Sequence, residues 1–265
     1  MPFVQSGDLR YFAFDLLAGA GVKQAVFTRH GGVSPAEFTS LNVGGLNGDE
    51  RRNVIENRRR MFAAFGRPVE SLFDVWQVHS ADAVATDHPR PLDEPHRKAD
   101  IILTDRPEIT LFMRFGDCVP LLLVDPARKV ICLAHAGWQG TVKKVAQVAV
   151  EAMRDRYGSR PADILAGIGP SVGAHHYQVG ENVILAAQYA FGTDVKNLLP
   201  QYNDHIHFDL WEANRLTLEQ AGVRQVEISG VCTVCAAQDW FSHRAEHGKT
   251  GRFGALLALD DRGTA

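Results

Sequence analysis

The sequence has few cysteines and no long apolar run, and these two shortages exclude several classes of protein. Only four cysteines occur in 265 residues, too few for the disulfide framework of a small secreted domain. No apolar stretch approaches the roughly 20 residues of a membrane-spanning helix, and the first residues lack the pattern of a signal peptide. We therefore expect a cytoplasmic protein without a membrane partner, in which any special cysteine acts as a thiolate or a metal ligand.

An excess of basic charge is also lacking, because the formal net charge is −3 at pH 7. Proteins that bind nucleic acid or acidic membranes present strongly basic surfaces, so we expect no nucleic-acid partner. The one basic segment, at 50–60, contains Glu50 and Glu56 and is typical of a solvated helix face. No repeat, low-complexity segment or linker interrupts the chain, so we expect one domain over residues 1–265 with a large buried core.

Hydrophobic patterns predict a mixture of strands and helices. The proline-rich segment 87–100 predicts a loop. Helices are expected within 48–66, 140–158, 181–192 and 209–222, and strands within 24–32, 75–86, 108–115, 119–125, 129–135, 162–170 and 225–233. Because strands 119–125 and 129–135 form a hairpin and strict βαβ alternation is missing, the pattern favours an α/β fold with mixed sheets.

The predicted hairpin brings a thiol and an imidazole together. Cys118 directly precedes its first strand and His135 ends its second, so a turn near Pro126 places both at one rim. His79 belongs to another alternating segment, and if the end of that segment faces the same rim, two imidazoles and a thiolate meet. That donor set, with a water molecule, matches a catalytic zinc with an open fourth position.

Other interpretations of the same residues stay open. A cysteine beside an apolar run is usually a small buried hydrophobe, which is our interpretation of Cys132. A histidine at a strand end is often a surface hydrogen-bonding group, and Cys118 with His135 also fits a metal-free nucleophile pair. Asp117 either orients a ligand or caps a turn.

An anion site is predicted beside this rim. The segment after His135 leads into a predicted helix, with Thr141 as its cap, and helix starts bind anions. Arg29, at a strand end, suits a phosphate or a carboxylate. The alternatives are a glycine turn that lets Trp138 pack and an ordinary surface arginine. Cys232 and Cys235 have zinc-ribbon spacing without a second pair, so we interpret them as structural.

Motifs along most of the chain resemble the YfiH-like laccase-domain proteins, long labelled multicopper polyphenol oxidases. The motifs are "FTRHGGVS", "SLNVG", "WQVHSADAV", "ADIILTD", "GDCVPLLLVD", "AHAGWQGT", "GIGPSVGAHHYQVG" and "WFSHRAEHGKTGR". The resemblance implies an α/β (α+β) single domain with four α/β/β/α layers and two mixed sheets, similar in shape to toxins of the cytotoxic necrotising factor type. It also implies that His79, Cys118 and His135 bind the metal.

The same resemblance implies a zinc-dependent enzyme that phosphorolyses adenosine, inosine, guanosine and methylthioadenosine and deaminates adenosine. Its partners would be a purine nucleoside and phosphate, and we expect a monomer or a weak homo-oligomer. Asp117 is the first candidate for an acid or base and His30 the second. We expect catalytic roles for His79, Cys118, His135 and Asp117, and substrate contacts for Arg29, His30, Asn42, Gln77 and Gly137.

Three positions depart from the family pattern. Gln139 and Ala245 stand where arginines are usual, and Gln178 stands where a glutamate is usual. Two positive groups are thus missing from the anion part of the site, whereas the metal part is unchanged.

Different functions also follow from the family label and from the donor residues. Only one His-x-His, at 205–207, occurs among eleven histidines, so a full multicopper set is not expected. Copper suits the single site and would give laccase-like polyphenol oxidase activity. A metal-free Cys-His hydrolase and a non-catalytic nucleoside-sensing module also fit the sequence.

Overall fold

Two six-stranded mixed sheets form the centre of the fold. The computed structural model describes residues 2–91 and 93–260. The first sheet has the order β1-β2-β3-β14-β7-β4 and the second β13-β10-β8-β9-β6-β5, and β11 pairs with β12 alone. The strands are β1 Phe3–Ser6, β2 Leu9–Phe12, β3 Val22–Phe27, β4 Leu72–Phe73, β5 Ala83–Ala85, β6 Ile101–Thr104, β7 Thr110–Phe115, β8 Val119–Asp125, β9 Val130–Ala136, β10 Leu165–Ile168, β11 Gln201–Tyr202, β12 His205–Ile206, β13 Gln225–Ile228 and β14 Phe253–Leu259.

Helices cover the outer face of each sheet, which makes the four α/β/β/α layers that the family resemblance implies. Helix α1 packs on the first sheet through Met61, Phe62 and Phe65, and the other helices pack on the second sheet. The helices are α1 Arg51–Phe65, α2 Trp138–Val142, α3 Val145–Tyr157, α4 Glu181–Phe191 and α5 Leu210–Gln220, with 3-10 turns at Ala36–Phe38, Val69–Ser71, Pro161–Asp163, Ala174–His176 and Gly192–Asn197. None of these described helices is long and apolar enough to cross a bilayer.

The continuous apolar runs of β8 and β9 arise because both faces of the second sheet are covered. All seven residues of each strand are buried. Successive side chains of a strand point to opposite faces, so Leu121 and Leu123 pack under the helices, whereas Leu122 and Val124 pack against the first sheet. The shared core between the sheets makes them one packed unit.

The single helix predicted over 140–158 is wrong, because the structure has two helices here and the first begins before residue 140. Helix α2 begins at Trp138 after an extended Gly137, and Thr141 lies buried inside it, where its Oγ1 accepts a hydrogen bond from Asn214 Nδ2 at 3.0 Å. Lys144 then has a φ of 60°, which breaks the helix before α3. Thr141 is therefore not a cap, and the helix start lies at Gly137 and not at 140–142.

Candidate metal and anion cleft

The hairpin of β8 and β9 brings Cys118 and His135 to one rim, as the sequence predicts. Pro120 faces His135 across the ladder and Val119 faces Ala136, so Cys118, the residue before β8, lies beside the end of β9. The His135 backbone N–H donates at 2.8 Å to the carbonyl oxygen of Asp100, the residue directly before the neighbouring strand β6. Main-chain bonds on both sides of β9 thus fix the backbone position of His135.

His79 reaches the same rim from a loop and not from a strand, so the strand predicted over 75–86 is wrong outside Ala83–Ala85. The Asp100 carboxylate accepts hydrogen bonds from the backbone N–H groups of Val78 at 3.0 Å and Ser80 at 2.7 Å. These N–H groups are therefore not available to bond to a neighbouring strand. His79 itself has a φ of 58°, and its carbonyl accepts a hydrogen bond from Lys143 Nζ at 2.8 Å. These contacts hold the loop that carries the imidazole.

The three side chains form a group able to hold one metal ion. Their ligand atoms all lie within 4.8 Å of one another, and Cys118 Sγ lies 3.9 Å from His79 Nε2. Ligands of a tetrahedral zinc with ordinary Zn–N and Zn–S bonds are roughly 3.3–3.6 Å apart. The residues therefore fit a zinc or a similar ion after small side-chain movements.

Asp100 is the residue at this site that the sequence reasoning missed. Its Oδ1 lies 2.7 Å from His135 Nδ1, so the other ring nitrogen, Nε2, is directed to the rim, as is common for metal-binding histidines. Burial opposes ionisation, but the hydrogen bond and charge of His135 and the backbone N–H groups lower the pKa of Asp100 to about 2. The signal was an acidic residue placed directly before a buried strand, in "ADIILTD".

Without a metal, Cys118 and His135 behave as a charged pair. Burial opposes the thiolate, but the charge and hydrogen bond of His135, together with His79, lower the pKa of Cys118 to about 6. Burial likewise opposes the imidazolium, whereas the Cys118 thiolate and Asp100 raise the pKa of His135 to about 9. A thiolate at neutral pH is the form that binds metals and that attacks electrophiles.

The group opens into a cleft of about 1170 Å³, which is large enough for a nucleoside and phosphate. Trp76 and Tyr177 provide aromatic surface on its lining. The one acidic residue among the described lining residues is Asp117, whereas seven arginines line the cleft: Arg51, Arg58, Arg59, Arg90, Arg114, Arg244 and Arg252. The cleft is therefore strongly positive although the chain is acidic overall.

Three of these arginines donate to backbone carbonyl oxygens and have no carboxylate partner among the described residues. Arg58 donates to Val43 O, Arg244 to Gln178 O and Arg252 to Gly251 O. Burial and the charge of Arg114 lower the pKa of Arg58 to about 10, and burial also lowers the pKa of Arg252. Partly desolvated cations without an anion are suited to bind one.

Neither Arg29 nor His30 is among the residues that line the cleft. The Arg29 guanidinium is already occupied, because it donates to Thr39 O at 2.8 Å, to Ala237 O at 2.9 Å and to Glu246 at 3.0 Å. His30 Nε2 lies 2.8 Å from Asp239 Oδ1. The Arg29 guanidinium therefore binds Thr39 and two residues from a distant segment, Ala237 and Glu246, instead of the predicted anion.

The other predicted residues lie at the cleft or support it. Gln77 lines the cleft. Its side-chain Nε2 donates to the Arg114 backbone carbonyl at 2.8 Å, and its Oε1 accepts from the Arg114 backbone N–H at 3.0 Å. Asn42 is buried, and its Oδ1 accepts the backbone N–H groups of Gly44 and Arg252. Asp117 lines the cleft with both carboxylate oxygens engaged, since it accepts from Thr233 Oγ1 at 2.6 Å and from the Arg244 backbone N–H at 2.7 Å.

The close packing of Cys118 and His79 leaves no room for a side chain at Gly137. A Cβ at this position would meet Cys118 Sγ at 2.8 Å, which forces a shift, and His79 Cδ2 at 3.0 Å, which is a tight contact. Of the three departures from the family pattern, only Gln139 lines the cleft. Arg58, Arg244 and Arg252 supply positive charge that the sequence reasoning did not assign, because their segments meet only in the folded chain.

The geometry defines an α/β/β/α protein with a thiolate–imidazole group in an arginine-lined cleft. A family model described as multi-copper polyphenol oxidoreductase laccase matches residues 23–260. The chain belongs to this family, whose structurally described members include YfiH and YlmD.

Individual relatives extend over nearly the whole chain. The chain is 38% identical over 241 residues to a purine nucleoside phosphorylase of Deinococcus radiodurans, covering 91% of this chain and 90% of that protein. It is 33% identical over 249 residues to purine nucleoside phosphorylase YlmD of Bacillus subtilis, covering 88% of this chain and 87% of that one. The crystal structure of YlmD from Geobacillus stearothermophilus superimposes with a TM-score of 0.91 at 32% identity, covering 98% of this chain and 99% of that one.

Proposed function

We propose that this chain is a metal-dependent purine nucleoside enzyme that phosphorolyses adenosine, inosine, guanosine and methylthioadenosine and also deaminates adenosine. One observation carries the proposal. The cleft of about 1170 Å³ joins the group of His79, Cys118 and His135 to arginines that lack a carboxylate partner among the described residues. The names of the relatives, purine nucleoside phosphorylase, agree with this chemistry.

Phosphate is assigned to Arg252 with Arg58 and Arg244, in place of Arg29. Arg252 lies close enough to Cys118 and Asp117 for their charges to act on its pKa, so an anion held there would be next to the thiolate–imidazole group. Asn42 positions the backbone of Arg252, which gives this buried asparagine an indirect part in binding phosphate.

The reaction in this cleft is a substitution at the anomeric carbon of the nucleoside. A phosphate oxygen forms the new C–O bond while the glycosidic C–N bond breaks, and its electron pair passes to the base nitrogen, which takes a proton. Fixed arginine donors stabilise the phosphate through the transition state. Asp117 is the proposed proton carrier in the cleft, and Trp76 and Tyr177 offer faces on which a purine stacks.

His79, Cys118 and His135 would hold the metal, with Asp100 orienting His135. A zinc ion bound there supplies Lewis-acid character beside the reacting centre, and copper suits the same donors. Gly137 keeps the space above these ligands open, and Lys143 holds the His79 loop. The residues of the chain thus fit such an ion and keep it accessible from the cleft.

A second candidate function is favoured by the pKa of Cys118, which His135 lowers to about 6. A metal-free thiolate beside an imidazolium is the arrangement of cysteine hydrolases. This alternative predicts that chelators leave activity unchanged and that alkylation of Cys118 abolishes it.

The deciding experiment measures phosphate-dependent release of hypoxanthine from inosine, with ammonia release from adenosine as the second assay. Wild-type protein is compared with Cys118→Ser, each after chelation and after zinc addition. We expect Cys118→Ser to lose both activities, about 100-fold or more, and to bind less metal. His88→Asn removes an exposed metal-binding side chain outside the cleft and is the control.

Two results would contradict the proposal. One is full phosphorolysis by metal-free Cys118→Ser protein. The other is turnover of thioesters or amides by chelated wild-type protein with no phosphorolysis under any metal condition, which would favour the hydrolase.

A further inference from the structure

A second cluster of metal-binding side chains lies outside the cleft. His175, His176 and Cys235 are all exposed, and their ligand atoms lie within 4.8 Å of one another. None of the three is among the residues that line the arginine cleft. Their donor set, two imidazoles and one thiol, has the same composition as that of His79, Cys118 and His135.

Backbone pairing between two distant segments builds this cluster. Ser171 pairs in parallel with Cys232 as an isolated bridge, with Ser171 N–H donating to Val231 O at 3.2 Å and Thr233 N–H donating to Ser171 O at 3.0 Å. The 3-10 turn Ala174–His176 follows one segment, and Cys235 follows the other. The histidines and the cysteine are therefore held at a fixed separation by main-chain bonds.

Close packing further fixes the position of His175. Gly173 N–H donates to Cys232 Sγ at 3.2 Å, and a Cβ on Gly173 would meet His175 Cε1 at 2.8 Å. The absence of that Cβ lets the imidazole fold back toward the cysteines. His175 Nε2 then lies 3.1 Å from Cys235 Sγ, and the rings of His175 and His176 lie 4.6 Å apart between centroids.

We propose that His175, His176 and Cys235 bind a second zinc-class divalent cation, separate from the ion at the cleft. Zinc is the ion that this mixed nitrogen and sulfur donor set prefers. The 3.1 Å between His175 Nε2 and Cys235 Sγ is close to the roughly 3.3–3.6 Å expected between ligands of a tetrahedral ion, and all three ligand atoms lie within 4.8 Å of one another. The sequence spacing of Cys232 and Cys235 alone did not predict this site, because its histidines come from a distant segment.

Such an ion would tie the segment 171–176 to the segment 232–235. Thr233, in the second of these segments, donates from Oγ1 to Asp117 at 2.6 Å. The Val172 backbone N–H, in the first, donates to Asp117 O at 3.2 Å. The second cation therefore acts as a clamp on the two segments that hold Asp117 at the cleft.

The test measures zinc stoichiometry on full-length, reduced protein by elemental analysis after titration and removal of free ion. We expect two zinc ions per chain in wild type, one in Cys118→Ser, one in Cys235→Ser and none in the double variant. His175→Gln should match Cys235→Ser, and His88→Asn, which removes an exposed histidine elsewhere, should keep two. Co²⁺ is the spectroscopic probe: its thiolate charge-transfer absorption should persist in Cys118→Ser and vanish in the double variant.

The outcomes separate this proposal from the proposed function. One ion in wild type and Cys118→Ser but none in Cys235→Ser would support the second site and contradict metal binding in the cleft. A single ion in wild type that Cys118→Ser abolishes would overturn the second site, as would two ions retained by both Cys235→Ser and His175→Gln. A Cys232–Cys235 disulfide that persists in reducing buffer, found by thiol counting, would also overturn it.

Discussion

At the scale of single residues, buried carboxylates determine how the positive and metal-binding groups are placed. Asp100 joins the His79 loop to His135 through four hydrogen bonds, from Val78, from the N–H and hydroxyl of Ser80, and with His135. Asp74 is completely buried beside Arg90 and Arg114. Neither residue reaches the reacting groups directly, so their effects are predicted on affinity and stability.

Asp100→Asn should weaken metal binding at the cleft by about 10–100-fold, because an amide at this position orients His135 without supporting its basicity. Zinc affinity measured by competition with a chromophoric chelator checks this expectation. Asp82→Asn, an exposed position on the segment that carries His79, is the control. Unchanged zinc affinity in Asp100→Asn would contradict the positioning role.

Asp74→Asn should destabilise the fold at pH 7 by about 3–5 kcal/mol, since it leaves buried Arg114 without its carboxylate. Burial opposes its ionisation, but hydrogen bonds from His96 and Arg90 and the charge of Arg114 hold the pKa of Asp74 well below its usual range. A carboxylate with a lowered folded pKa stabilises above its unfolded pKa, near 3.9, and loses this contribution as pH falls below it.

The difference in unfolding free energy between wild type and Asp74→Asn should therefore shrink as pH falls from about 4 toward 2. Denaturant unfolding at several pH values measures it. Asp87→Asn, an exposed carboxylate, should show little change at any pH. A difference that stays constant with pH would show that Asp74 acts through packing and not through charge.

At the scale of elements, the β8–β9 hairpin was predictable and the loop that carries His79 was not. Apolar runs on both sides of a polar turn fix a hairpin locally, and its register then places Cys118 near His135. The 75–86 segment has the alternation of a strand, but the carboxylate of Asp100, 20 and 22 residues further along the chain, accepts the backbone N–H groups of Ser80 and Val78. Local periodicity contains no information about such a distant carboxylate.

The turn from β9 to α2 is the element most sensitive to added volume. Gly137→Ala should lower phosphorolysis about 100-fold, because the new methyl group displaces Cys118 or His79, while the allowed φ of −72° keeps the fold intact. Activity, zinc affinity and thermal unfolding are measured together. Gly45→Ala, whose Cβ would meet nothing within 4 Å, should behave as wild type, and a fully active Gly137→Ala would contradict the steric argument.

At the scale of the whole molecule, the charge of the cleft opposes the charge of the chain. Among the residues that the structure describes, seven arginines and one acidic residue line the cleft, in a protein of net charge −3. Composition therefore argued against polyanions, whereas the fold gathers its positive groups where phosphate is proposed to bind. Arg58 comes from α1 and Arg252 precedes β14, so only tertiary structure reveals the set.

The Michaelis constant for phosphate should rise with ionic strength, because salt shortens the screening length from about 30 Å at 0.01 M to about 3 Å at 1 M. Initial rates at varied phosphate and KCl concentrations measure this dependence. Inosine is uncharged and provides an internal control, since its Michaelis constant should change much less. Equal salt dependence for both substrates would contradict electrostatic attraction by the cleft.

The position of β14 has a consequence for how the protein is made. This strand lies between β3 and β7 in the first sheet, and Arg252 directly precedes it. Until residues 253–259 leave the ribosome, the two neighbouring strands each present an unpaired edge, which is a template for association with other chains. Arg252, which we propose binds phosphate, arrives with the same segment, so the growing chain would gain protection from aggregation and this arginine in one step.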